Sequence, residues 1–131
     1  MSVGYRVINV DRKERIEFTE HIHMGYTFGE ILGSSLFGSV LSFYMMTHLG
    51  DRISFVHDRQ DEVDLFGVRY SWDELYDFTN VTEQIVEQLI TSKLYEDVGI
   101  GWSDEEEGFF VRKIVQSVDI ATVHVEDPNF N

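Results

Sequence analysis

The chain has no cysteine and only ten lysines and arginines among its 131 residues. Without cysteine there is no disulfide framework, no thiolate metal site and no cysteine nucleophile, so a packed core must supply the stability unaided. That composition fits a reducing compartment, and a cytoplasmic location is the expectation. The first ten residues show no basic stretch followed by an apolar run, so no secretory signal is expected. Catalytic signatures are also missing. There is no glycine-rich loop ending in Lys-Ser/Thr, no dinucleotide fingerprint, no nucleophile elbow and no His-Glu-x-x-His. The expectation is a protein that is not an enzyme and carries no cofactor.

The few basic residues face 24 acidic ones, giving a formal net charge of −14. The imbalance is uneven. Residues 1–50 hold four basic and five acidic side chains, whereas residues 51–131 hold six basic and nineteen acidic. The second part therefore carries almost all of the charge, more than the roughly 2 to 8 that solubility asks of a small domain. Such a surface repels phosphate backbones and anionic lipid, and it steers positively charged proteins toward itself. Direct nucleic-acid binding and membrane binding are thus disfavoured. Residues 31–50 lack Asp, Glu, Lys and Arg altogether. They are interrupted by Gly33, Ser34, Ser35 and Gly38 and have no flanking basic cluster, so they read as a buried core helix and not a membrane span.

Length and hydrophobic content suit one domain with a core of its own, spanning residues 1–131. Residues 5–10 (YRVINV) and 15–18 (RIEF) read as strands of a hairpin. Thr27-Phe28-Gly29-Glu30 has capping-box spacing and starts the apolar helix, which Gly33 and Ser34 weaken enough that it is either one broken helix or two. Gly50 is placed to end it. Residues 52–57 read as a strand, and residues 58–64 (DRQDEVD) as a charged loop without apolar period. Ser71-Trp72-Asp73-Glu74 and Asn80-Val81-Thr82-Glu83 start two short helices, the second with Ile85, Val86, Leu89, Ile90 and Leu94 on one face. From Val98 onward the pattern is again β, with two strands around an acidic turn and a further one over 118–125. The expected fold is α+β: an antiparallel sheet of about four or five strands against one long apolar helix and two shorter helices.

Three groups of residues are candidate sites. Asp104, Glu105, Glu106 and Glu107, together with Asp58, Asp61, Glu62 and Asp64, are expected to form an acidic face for Arg and Lys of a partner. They do not follow the calcium-loop pattern. Interface energy concentrates in aromatic anchors, and Trp102 is the first candidate, followed by Trp72, Tyr76 and Phe109. His21 and His23, two apart on an extended segment, point the same way and form the sequence's best metal-ligand pair, although no second pair stands at a diagnostic spacing. The leading expectation is an acidic binding or inhibitor protein for a basic partner, as in an immunity protein against a toxin nuclease or a phosphate-mimicking inhibitor of another nucleic-acid-handling enzyme. Two alternatives stand beside it. One is a small-molecule or metal-binding domain with an apolar pocket between helix and sheet and His21 and His23 at its mouth. The other is a structural homo-oligomer, such as a homodimer, acidic only for solubility.

Overall fold

Strand β1 (Tyr5–Asn9) has a partner on each side, and its two faces carry two different cores. The computed structural model describes residues 3–102 and 110–117, with Asp127 and Asn129. Strand β2 (Glu14–Ile16) pairs antiparallel with β1, Val7 opposite Ile16, and β3 (Ile53–His57) pairs antiparallel on the other side, Val7 opposite Phe55. Because side chains alternate along a strand, Val7, Ile16 and Phe55 face one way and Arg6, Ile8 and Val56 the other. The expected hairpin of the first twenty residues is therefore present, closed by a turn in which Asn9 Oδ1 accepts from the backbone N–H groups of Asp11 and Arg12.

Helices cover the first face. Helix α1 (Phe28–Leu32) starts where Glu30 accepts from both the backbone N–H and the hydroxyl of Thr27. It stops at Gly33, and Ser34 then caps α2 (Ser35–Thr47) by accepting from Phe37 N. The single long apolar helix is thus two helices, and it is not wholly buried. Helix α2 turns Leu36, Phe37, Val40 and Tyr44 into the core, whereas Leu32, Met45, Met46 and Leu49 remain exposed. The absence of charge over residues 31–50 implied burial all round, but a helix lying on one sheet buries one stripe. Gly50 takes a positive φ of 86° just beyond the helix end. Helix α4 (Thr82–Thr91) buries Ile85, Val86 and Leu89 beside α2, completing a core with Val7, Ile16, Ile22 and Met24.

The opposite face of the sheet is covered by a hairpin and a short helix. Strands β4 (Glu62–Leu65) and β5 (Val68–Ser71) pair antiparallel, and α3 (Trp72–Tyr76) follows without a gap. Val63, Leu65, Leu75 and Phe78 meet Ile8, Val10 and Val56 there. The charged loop expected over 58–64 is in its second half a strand, because Val63 and Leu65 supply a period of two that the flanking carboxylates hide. Strand β6 (Thr79–Asn80) then joins the sheet beside β2 in parallel, Glu14 opposite Thr79. The main sheet is therefore mixed, in the order β3-β1-β2-β6, and not purely antiparallel. Thr82 locks this join: fully buried, its hydroxyl donates to Glu17 O at 2.9 Å and accepts from Glu17 N at 3.1 Å. Strands β7 (Tyr95–Trp102) and β8 (Phe110–Gln116) form a separate antiparallel hairpin, with β7 starting three residues before Val98. The strand expected over 118–125 lies outside the described residues. Among the described residues no helix is long and apolar enough to cross a membrane.

Candidate functional site

Of the acidic candidates in the middle of the chain, Glu62 and Asp64 fall on β4, Asp61 directly precedes it, and Asp58 follows β3. Alternation along β4 sends Val63 and Leu65 into the core and leaves Glu62 and Asp64 outside. The hairpin closes through a two-residue turn, Phe66-Gly67, with φ of 53° and 85°. Two successive positive φ values give the mirror-image turn whose twist matches the strands it joins. Gly67 adopts it freely. Phe66 does not: a left-handed conformation costs a bulky side chain roughly 1–2 kcal/mol, and Asn, Asp or Gly is the usual solution. The residue is nonetheless 48% exposed at the tip, with the Arg52 guanidinium 6.0 Å from the centre of its ring.

Across the hairpin Arg69 stands opposite Asp64 and reaches two carboxylates, Asp64 at 3.0 Å and Glu62 at 3.4 Å. The hydrogen bond from Arg69 holds the Asp64 carboxyl below its ordinary range. Both pairs are open to solvent and contribute little to stability. Residues 58–77 contain seven acidic side chains and two arginines, so the segment carries an excess of negative charge.

Helix α3 adds to this acidity for a local reason. Ser71 Oγ accepts from Glu74 N while Glu74 reaches back to Ser71 N, and Asp73 joins Glu74 at the positive end of the helix. Trp72 is turned inward, its ring 4.4 Å from the Arg6 guanidinium. It shields a buried charge and is not an outward anchor. Tyr76 is 60% exposed and lies 5.0 Å from the Arg15 guanidinium.

Beneath α3 sits a buried charged cluster. Glu17 Oε2 is 3.3 Å from Arg6 Nη2, and its other oxygen meets Arg15, which also donates from Nε to Phe78 O at 2.7 Å. Two guanidiniums thus share one carboxylate. Arg6 Nε and Nη1 are buried without a hydrogen-bond partner among the described residues. Burial lowers the pKa of Arg6, against the opposing effect of Tyr26, and burial followed by repulsion from Arg6 lowers that of Arg15. Asp58 belongs to the same structural system. It accepts from Tyr26 Oη at 2.6 Å and from Gly4 N at 3.1 Å, which keeps its carboxyl below the usual range.

Of the acidic residues singled out from the sequence, Asp61, Glu62 and Asp64 come together on the hairpin, exposed, whereas Asp58 is tied into the fold. Trp102 ends β7 and its side chain is not described; Asp104, Glu105, Glu106, Glu107 and Phe109 lie outside the described residues. His21 and His23 are both exposed because Ile22 and Met24 alternate with them into the core. Among the described residues no group of three His, Cys, Asp or Glu is arranged to hold a metal ion. Phe66 was missed by sequence reasoning. Its signal is a Phe-Gly pair between two runs of alternating apolar residues, EVDL and VRYS.

A second site lies on the other side of the molecule. A cleft of about 360 Å³ opens between α2 and α4, walled by Phe43, Val81 and Ile85. Neither His21 nor His23 lines it; His48 does. At its base the Tyr44 hydroxyl donates to Glu14 Oε1 at 2.6 Å and accepts from Asn9 Nδ2 at 2.9 Å. Burial, then the bond to Glu14, pushes the Tyr44 phenol far above its ordinary value. The His48 ring stacks on Tyr44 with centroids 4.1 Å apart. Comparison of the chain with protein-family models, with curated proteins and with solved structures finds no match in any of the three.

Proposed function

We propose that the chain is an acidic binding protein whose β4–β5 hairpin and α3 engage a basic protein partner, of the chemistry a nuclease or another nucleic-acid-handling enzyme presents. The observation that carries this reading is Phe66. A bulky aromatic residue at the tip of a hairpin, 48% exposed and in a backbone conformation that disfavours it, belongs to neither core cluster of this fold. It is suited to entering a pocket on another protein, where aromatic anchors supply most of the binding energy. Glu62 and Asp64 on the outer face of the same hairpin, with Asp61 just before it, add negative charge that accelerates encounter with a basic surface.

The test is an affinity capture from the source cell's lysate at low and at moderate salt, run with the wild type and with Phe66→Asn. The expected result is one basic protein retained at low salt, reduced at higher salt, and lost from the variant. With that partner in hand, Asp61→Asn/Glu62→Gln should slow association and Phe66→Asn should speed dissociation. Equal retention of the same basic protein by wild type and Phe66→Asn would refute the assignment of this face.

A further inference from the structure

We infer that the cleft between α2 and α4 binds a small organic amine with an apolar body. The argument starts from the direction of hydrogen bonds around His48. Its Nδ1 lies 2.8 Å from Tyr44 O, and a carbonyl only accepts, so Nδ1 donates there and Nε2 is the ring nitrogen left to face the cleft. Nε2 stands 3.9 Å from Glu14 Oε1. That separation is too long for a hydrogen bond between them. Glu14 takes one hydrogen bond from Tyr44, and among the described residues no further donor reaches it. Glu14 Oε1 and His48 Nε2 therefore face one another across the floor of the cleft. A primary ammonium, with three hydrogens on one atom, bonds the Glu14 carboxylate and stands against the imidazole at once.

The surrounding charge agrees. The last carbonyls of α2 add the negative end of a thirteen-residue helix beside His48. The opposing positive end of α4 is not offered to an anion, since Thr82 N already donates to Asn80 Oδ1 and Glu83 sits in the first turn. Glu14 is the one carboxylate among the lining residues, and no Lys or Arg lines the cleft. Phe43, Val81 and Ile85 give an apolar wall, while the amides of Gln84 and Gln88 complete the lining. The volume lies in the lower part of the roughly 300–1,000 Å³ typical of small-ligand sites. The ligand is thus a compact amphipathic amine, its ammonium between Glu14 and His48 and its body on the apolar wall.

The experiment uses the full chain and three probes with the same body: phenethylamine, 3-phenylpropionate and 2-phenylethanol. Each is titrated by calorimetry and by amide-resolved NMR. The amine should bind most tightly and shift the signals of His48, Gln84 and Gln88, and Glu14→Gln should weaken it by about tenfold or more, since the bond to the ionised acceptor is lost. The Gln side chain still accepts from Tyr44, so the fold is retained. Gln88→Trp, at an exposed position on the lining, should block the amine without touching the core. Tighter binding of the carboxylate, an undiminished amine affinity in both variants, or no shifts at saturating amine would each overturn the inference.

Discussion

Glu17 holds the balance of the buried cluster beneath α3, and neutralising it should be the most damaging single-atom change in this protein. The Glu17 side chain is 8% exposed and the Arg6 side chain 6%, so neither charge is rescued by water. In Glu17→Gln the shape is kept but Arg6 and Arg15 lose their shared counter-charge. Breaking a buried pair from one side costs about 3–5 kcal/mol, against a total stability of about 5–15 kcal/mol. With a urea dependence of about 1–3 kcal/mol per molar, the unfolding midpoint should fall by on the order of 2 M. Far-ultraviolet circular dichroism in urea, which leaves the ionic strength unchanged, measures this. The double variant Arg6→Met/Glu17→Leu distinguishes lost attraction from stranded charge. It removes the more deeply buried cation along with the anion and leaves Arg15 its bond to Phe78 O, so it should be more stable than Glu17→Gln alone. A midpoint shift under about 0.5 M for Glu17→Gln, or a double variant less stable than the single, would refute the reasoning.

Other perturbations test the remaining assignments. Tyr44→Phe should cost about 1–1.5 kcal/mol at neutral pH, measured by the same urea titration. It should also flatten the alkaline limb of stability. The folded phenol titrates above the unfolded one, so its contribution is fully present below the ordinary tyrosine value of 10.0 and is lost as pH rises through the folded value. An unfolding midpoint that falls as steeply above pH 10 in the variant as in the wild type would contradict this. Phe66→Asn should leave stability unchanged or raise it by up to about 1 kcal/mol, because Asn tolerates the left-handed turn better; a clear loss of thermal stability would show that Phe66 packs against the fold. Ser71→Ala should cost about 1 kcal/mol through the lost cap and speed amide exchange across α3. Unchanged exchange there would mean that packing of Leu75, not the cap, fixes this helix.

Much of the local structure is legible in the chain because local chemistry dictates it. The capping signals at Thr27 and Ser71, the break at Gly33 and the apolar stripe of Ile85, Val86 and Leu89 each specify an element within one or two turns. The illegible features depend on partners far away in sequence. Strand β6 is two residues long, and its parallel pairing with β2 depends on contacts such as Thr82 with Glu17, 65 residues apart. The burial of α2 on one side only follows from the sheet beneath it and not from its own uncharged sequence. Trp72 and Tyr76 stand four residues apart and both lie over the Arg6 guanidinium, yet Trp72 packs against the core while Tyr76 stays 60% exposed. Charge density, the loudest signal in the sequence, marked Asp61, Glu62 and Asp64 correctly as exposed. Asp58 is exposed as well, but its carboxylate also accepts from Tyr26 and Gly4, which charge density does not reveal, and the same charge conceals the strand on which Glu62 and Asp64 sit.

The alternation along β4 separates two kinds of evolutionary freedom. Val63 and Leu65 answer to Ile8 and Val56 and are fixed by them, whereas Glu62 and Asp64, one position away on each side, answer to no atom of the core. Surface changes of that kind usually alter stability by no more than about 0.5 kcal/mol. The outward row of the hairpin can therefore drift, residue by residue, to follow a changing counterpart while the fold that carries it stays the same. A lineage under pressure to switch partners would record its history in positions 62, 64 and 66, and very little of it in positions 63 and 65.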